Sequence, residues 1–447
     1  MTEATKNPTT LGSRGLPRHL GLGQVVLFGL AYMAPLIVLG TYGIVADTTD
    51  GTVPSAYLLA LVAMLFTAAS YGKMAAAYPV AGSAYTYVRK TIDSRLGFLV
   101  GWAVLLDYFF LPMVIWLIGT AYLSAQFPGV PSWLWLVAFI LITTLLNVLG
   151  IKVAAKANFV LMAFQLLVIA FFIVLSVRDV VNAGHGLVSS TPFFHPGSSL
   201  SGISGGAALA AYSFLGFDAV TTLTEEVTEP RKTIPRAILL TALLGGAVFV
   251  VLAYATQLVH PGSTFDDSSS AAFEIAKAIG GNAFSSLFLA GLVVAQFASG
   301  IAAQAGASRL MFAMGRDGVL PKRFFGYLQP KLKTPTFAIV LTGAVGLIAL
   351  ALDVSTSTSF INFGAFTAFT FVNISVIAHW LRNRGPVVTN LLFPAIGAVV
   401  DVWLLVNLDG IALTFGLIWL GLGVLYLLYL TKLFRVAPPE MDFAEPI

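Results

Sequence analysis

Long apolar runs, each close to the length of a membrane helix, recur along the chain. A helix rising ~1.5 Å per residue needs ~20 apolar residues to cross a hydrocarbon core ~30 Å thick. By that rule, spans are predicted at 23–45, 54–78, 97–124, 132–150, 158–177, 203–226, 236–259, 283–313, 335–352, 358–381, 388–407 and 411–432. The polar stretches between them are short. The longest, near 179–200, 260–281 and 314–333, are too small to bury a core of their own. The pattern predicts an all-α integral membrane protein of about 12 transmembrane helices. Residues 1–20 and 435–447 are tails on either side of a membrane bundle over 21–434.

The basic residues orient these spans. An even span count puts both ends on one side. With the ends placed in the cytoplasm, 22 of the 24 lysines and arginines fall inside, and only Arg178 and Lys277 fall outside. The outer loops carry acids instead, among them Asp47, Asp50, Asp179 and Asp266. Cytoplasmic loops of membrane proteins collect Lys and Arg, so the split supports both the span count and a multi-pass protein of the cell (inner) membrane with cytoplasmic termini.

Two spans carry interruptions. In the first, Pro35 lies mid-membrane between Gly29 and Gly40, within Tyr32-Met33-Ala34-Pro35-Leu36. Proline removes a backbone donor and crowds the carbonyl four residues back. In the sixth, Tyr212-Ser213-Phe214-Leu215-Gly216-Phe217-Asp218 surrounds one glycine with aromatic residues and adds an acid. Each reads either as an ordinary kink or helix contact, or as a helix that breaks and turns freed backbone toward a small ligand. Placement favours the second. Interruptions in corresponding helices five spans apart mark an inverted repeat around a central site. Repeat one then covers about 21–178, repeat two about 200–382, and two peripheral helices about 388–433.

Composition narrows the function. Hydrophobic residues make up 58% of the 447 and charged residues 10%, against roughly a quarter charged in soluble chains. The net charge of +4 belongs to loop residues, which argues topology and not nucleic acid. There is no cysteine, and the five histidines are scattered without metal-ligand spacing. A membrane enzyme needs clustered catalytic groups and a channel needs a continuous polar pore; the chain shows neither pattern. No metal site and no cofactor are expected.

The buried polar residues are few enough to weigh singly. Asp107 and Tyr108 lie inside the third span, where an ionisable group is a functional candidate by default: an ammonium counter-ion, a proton carrier, or a structural acid. Asp218 stands beside the second interruption, as a cap on freed amides or a ligand contact. Glu225 and Glu226 end the sixth span and are expected to pair with Lys73, Arg231 or Lys232 at an inner gate, with proton binding as the other reading. Asp401, in the eleventh span, reads as a helix-packing acid. Tyr85 and Tyr87 fall in a short segment expected to run as an amphipathic helix along the inner face, with packing as their default role.

Several blocks carry a family resemblance. Gly216-Phe217-Asp218 leads through Glu225-Glu226 to Pro230-Arg231-Lys232-Thr233-Ile234-Pro235-Arg236-Ala237-Ile238. Tyr78-Pro79-Val80-Ala81-Gly82-Ser83, Leu105-Leu106-Asp107-Tyr108, Phe324-Phe325-Gly326-Tyr327 and Ile361-Asn362-Phe363-Gly364 accompany it. Together these resemble the amino acid–polyamine–organocation (APC) superfamily of permeases, and within it the bacterial putrescine importers. The resemblance implies a LeuT-type 5+5 inverted repeat plus two peripheral helices, with helices 1 and 6 broken, and uptake driven by an ion gradient, usually protons. Putrescine importers of this kind tend to carry an acid where this chain has Gly40. Amino-acid carriers of the family show a glycine-rich break where this chain has Ala34-Pro35-Leu36. The lysine some of them carry in the fifth span corresponds to Gln165.

The expectation is a secondary active transporter for a small organic amine of putrescine type, with an amino-acid carrier as the alternative. The substrate would contact Tyr32, Ala34, Pro35, Gly40, Asp107, Tyr108, Tyr212, Phe214, Gly216, Phe217 and Asp218. Glu225, Glu226 and Lys73 would serve the gate or coupling.

Overall fold

A computed structural model describes residues 20–79, 83–150, 155–224 and 226–440. Its helices are α1 (Leu22–Met33), α2 (Ile37–Gly40), α3 (Tyr42–Thr49), α4 (Val53–Ala77), α5 (Ser83–Thr91), α6 (Ser94–Gln126), α7 (Ser132–Val148), α8 (Ala155–Asn182), α9 (Leu200–Ala210), α10 (Pro230–Val259), α11 (Ala271–Arg316), α12 (Lys322–Phe325), α13 (Thr336–Gly346), α14 (Val354–Asn383), α15 (Phe393–Val406) and α16 (Gly410–Leu430). Among the described residues the only β pairing is one bridge between Leu20 and Val227.

Among the described residues ten helices are long and apolar enough to cross a membrane, and two shorter apolar ones, Ser132–Val148 and Thr336–Ala351, fall on two further predicted spans. The long helix α11 contains a break at Gly281, whose φ of 67° and ψ of −168° are non-helical. The span predicted at 283–313 begins just beyond it.

Four helices form the packed centre: α4 runs along α10, and α14 runs along α6. Small residues allow the close approaches. A Cβ on Gly246 of α10 would stand 2.3 Å from Leu61 of α4, and one on Gly364 of α14 would stand 2.6 Å from the Ala103 carbonyl of α6. In a bilayer, where lipid is as apolar as leucine, such packing holds helices together. The rim helices α8, α15 and α16 expose Val174, Val399 and Leu425, surface of the kind lipid covers.

The segment predicted as a short amphipathic helix along the inner face forms α5. It packs against α6 and α14, and Tyr85 and Tyr87 are buried, the packing role expected of them.

Candidate substrate cavity

The segment around Gly216 lies against the end of α1 at Tyr32 and Met33. The helical run of α1 stops at Met33. Ala34 follows in the left-handed region (φ 45°), and α2 begins only at Ile37. Pro35 has no N–H to give, so a regular turn cannot continue through it. In the sixth predicted span α9 tightens into a 3-10 turn over Ala211–Phe214. The chain turns at Gly216 with φ 126°, and a second 3-10 turn runs over Ala219–Leu223. A Cβ on Gly216 would lie 2.5 Å from the Tyr32 ring and 3.2 Å from the Met33 nitrogen. Glycine is required here twice, for its dihedral and for the contact with α1.

Polar bonds fix both segments. Tyr57 of α4 lies between them, its hydroxyl 3.5 Å from Thr41 Oγ1 and 3.1 Å from Ser213 Oγ. Asn362 of α14 donates to the Ala208 carbonyl at 2.7 Å, close to the end of α9. The last carbonyls of a helix lack intrahelical partners, and this amide supplies one next to the point where α9 tightens.

Beside the contact of α1 with Gly216 lies a cavity of about 270 Å³. Asp107, Tyr108 and Gly101 line it from α6, and Tyr32 from α1. Gly216, Asp218 and Thr222 line it from the interrupted segment. Its other walls include Tyr71 of α4, Tyr85 of α5, Met314 of α11 and Phe369 of α14. Among the described residues two carboxylates face this space and no lysine, arginine or histidine does. Asp107 Oδ1 is buried with no hydrogen-bond partner. Asp218 accepts the Gly216 N–H at 3.3 Å, which ties its carboxylate to the turn itself. A buried, unpaired carboxylate oxygen seeks a cation or a proton, and the surrounding rings offer π-faces to an ammonium group. A larger cavity of about 380 Å³ lies elsewhere, lined by His185, His195, Gln257 and Pro261. It holds none of the expected site residues and no carboxylate.

Of the expected contact residues, Tyr32, Asp107, Tyr108, Gly216 and Asp218 line the cavity. Tyr212, Phe214 and Phe217 are buried but stand outside its wall. Phe214 packs edge-on against Phe249, ring centroids 5.1 Å apart. Phe217 sits behind the wall, 5.8 Å from the Tyr71 ring and 5.4 Å from the Phe369 ring. Ala34 and Pro35 form the turn after Tyr32 without lining the space, and Gly40 lies instead against Ile118 and Gln296. Gln165 is buried with its Oε1 unpartnered.

At the expected gate, Glu225 lies outside the described residues. Lys73 donates to the Thr389 carbonyl and, at 2.5 Å, to Asn390 Oδ1. Lys232 pairs with Glu229 at 3.4 Å. Among the described residues no ion pair joins Glu226 to Lys73, Arg231 or Lys232; the Glu226 carbonyl takes the Leu20 N–H at 3.1 Å.

Tyr71, Phe369 and Met314 were not singled out from sequence. Each is an apolar or aromatic residue in an apolar helix, and nothing in the linear pattern separates a cavity wall from packing.

A bundle of long apolar helices around a buried acidic cavity defines a membrane permease. The profile of the amino acid permease family matches residues 24–425, and the chain belongs to that family. It is 43% identical over 436 residues to the low-affinity putrescine importer PlaP of Escherichia coli (strain K12), covering 96% of each chain. It is 26% identical to the branched-chain amino acid permease BcaP of Bacillus subtilis (strain 168) over 95% of each. To the methylthioribose transporter of that organism it is 26% identical over 94% of this chain and 95% of the relative. The chain is a transporter and not an enzyme.

Proposed function

We propose that this protein imports a small organic amine of putrescine type by alternating access, with protons as the coupling ion. The observation that carries the reading is the cavity itself: among the described residues it has two carboxylates, aromatic walls and no basic side chain. A diamine has two ammonium groups, and each needs an anion or a π-face in a dry site. Identity to a putrescine importer over nearly the whole length supports the same substrate class.

In this reading the twelve predicted spans all cross the membrane, with both termini in the cytoplasm. The first ten form the inverted repeat, and the first and sixth are the broken pair. The meeting of Tyr32 with Gly216 supports that placement. Substrate enters from outside, one ammonium settles beside Asp107, and the other faces Asp218 and the rings of Tyr108 and Tyr71. A membrane potential negative inside then favours inward movement by ~2.3 kcal/mol per charge per 100 mV.

Amino-acid transport is the second reading, favoured by the relative BcaP. Thermal unfolding of the purified protein against putrescine, cadaverine, spermidine, monoamines and amino acids separates the two, because a ligand that binds the folded state raises its apparent stability. Stabilisation by diamines alone is the expected result. Stabilisation by amino acids alone overturns the amine reading.

A further inference from the structure

Near the Tyr71–Phe369 wall of the cavity lies a third buried acid, one that the amine site does not use. Asp401 sits in α15 and is fully buried. Its Oδ2 accepts from Thr67 Oγ1 of α4 at 2.9 Å and from Asn373 Nδ2 of α14 at 2.9 Å. Its Oδ1 has no partner. The Asn373 amide is held in one orientation: Ser70 donates to its Oδ1 at 2.5 Å, and its Nδ2 also reaches the Phe369 carbonyl at 3.2 Å. Gly397, four residues before Asp401, lets α15 approach so closely that a Cβ there would stand 2.7 Å from Asn373 Oδ1.

We propose that Asp401 binds the coupling proton of the transport cycle and that Asn373 passes its charge state to the cavity wall. The inference rests on the importer reading for what the proton drives. The geometry suits a neutral carboxylic acid. Oδ2 serves as the carbonyl-type acceptor for two donors, and Oδ1, with no donor aimed at it, carries the proton. An ionised carboxylate there would leave one charged oxygen bare in an apolar bundle, a much larger cost than a bare hydroxyl. A metal cation fits poorly, because the Asn373 amide turns its N–H, not its oxygen, toward Asp401.

Among the described residues no charged side chain bonds this carboxyl. Of the titratable groups on α4 and α14 nearest the cluster, Lys73 is anchored to Thr389 and Asn390, and His379 faces Tyr78 and Asn383. Tyr71 turns its ring into the aromatic group with Tyr87, Phe217 and Phe369. On α9, which also touches α15, there is no titratable side chain.

The link to the site is short. Ser70 and Tyr71 are neighbours on α4, and Asn373 bonds the carbonyl of Phe369. Tyr71 and Phe369 both line the cavity, so a change at Asp401 acts on the seam between the two helices that carry them. One proton binds at Asp401 with the amine outside, and the same proton leaves inside.

The test uses the full chain in liposomes, as wild type, D401N and T67V. Infrared difference spectra across pH, without substrate, follow the carbonyl stretch of a protonated carboxylic acid. The expected result is a pH-dependent band that D401N lacks, that T67V displaces in pH midpoint, and that Asp107→Asn and Asp218→Asn retain. Putrescine accumulation under an imposed inward proton gradient is expected to be lost in D401N, while counterflow under no gradient persists. A band unchanged in D401N, a wild-type band that does not respond to pH, or wild-type accumulation by D401N overturns the proposal. If D401N fails to fold, T67V decides: an unmoved midpoint overturns it. Wild type lacking putrescine counterflow would remove the importer reading, and the infrared band would still decide whether Asp401 exchanges a proton.

Discussion

Gly364 of α14 presses on the backbone of α6 at Asp107: a Cβ on it would lie 3.2 Å from the Asp107 nitrogen and 2.6 Å from the Ala103 carbonyl. The position of the cavity's unpaired carboxylate is therefore set by the absence of a side chain on the facing helix. Gly364→Ala must push α6 and α14 apart, since both of these neighbours are backbone atoms. Overpacking of this kind costs about 1–3 kcal/mol. The expected outcome is a lower unfolding temperature together with weaker putrescine stabilisation. An alanine variant indistinguishable from wild type in both would show that the seam yields without moving Asp107.

Asp107→Asn keeps the size of the side chain and removes its charge. Truncating one partner of a buried charge pair costs roughly 2–5 kcal/mol, so putrescine affinity is expected to fall by at least about tenfold, at 1.4 kcal/mol per factor of ten. Asp218→Asn is expected to cost less, because an amide oxygen still accepts the Gly216 N–H that Asp218 holds now. Ligand-induced thermal shifts, titrated with putrescine, rank the two. Equal losses would assign both carboxylates the same direct role.

Much of the bundle was legible because its signal is length: an apolar run of ~20 residues has few other uses. The charge split between loops added order to the count. Asp107, Asp218 and Gly216 were legible because each is an exception in its own span. The ring assignments were less so. Phe214 and Phe217 stand near Gly216 in sequence, but the 3-10 turn at Ala211–Phe214 and the positive φ at Gly216 shift the helical phase, and their rings point into packing. Tyr85 was expected to pack, but its place in the cavity wall depends on how α5 docks on α6 and α14, which the linear pattern does not show. Asp401 was visible as a buried acid, but its bonds to Thr67 and Asn373 span three helices and leave no mark in the linear pattern.

Asn362 tests how firmly the interrupted segment is held. Its amide donates to Ala208, next to the turn at Ala211–Phe214. Asn362→Ala leaves a buried carbonyl short of a partner, a cost of about 1–3 kcal/mol. Asn362→Asp is expected to be worse, since it removes the donor and sets a carboxylate oxygen against the same carbonyl. The order wild type, Ala, Asp in unfolding temperature is the expected result. An aspartate variant as stable as wild type would mean that the carbonyl finds another donor.

Gly216 carries the sharpest expectation for function. Its φ of 126° lies where residues with a Cβ are strained, and the Cβ of Gly216→Ala would also meet the Tyr32 ring at 2.5 Å. Held backbone strain of this sort costs of order 1–3 kcal/mol before any clash is counted. Tyr32 lines the cavity, so relief of the clash displaces a wall residue and separates the two interruptions. Gly216→Ala should lose putrescine uptake even in preparations that remain folded. The informative comparison is with Gly410→Ala, at the start of α16, where a Cβ meets nothing within 4 Å. That variant should transport normally, so loss in one and not the other ties the effect to the contact between Gly216 and Tyr32. Normal uptake by Gly216→Ala would mean that the chain can turn there without the glycine dihedral, and that the contact with α1 is not needed for transport.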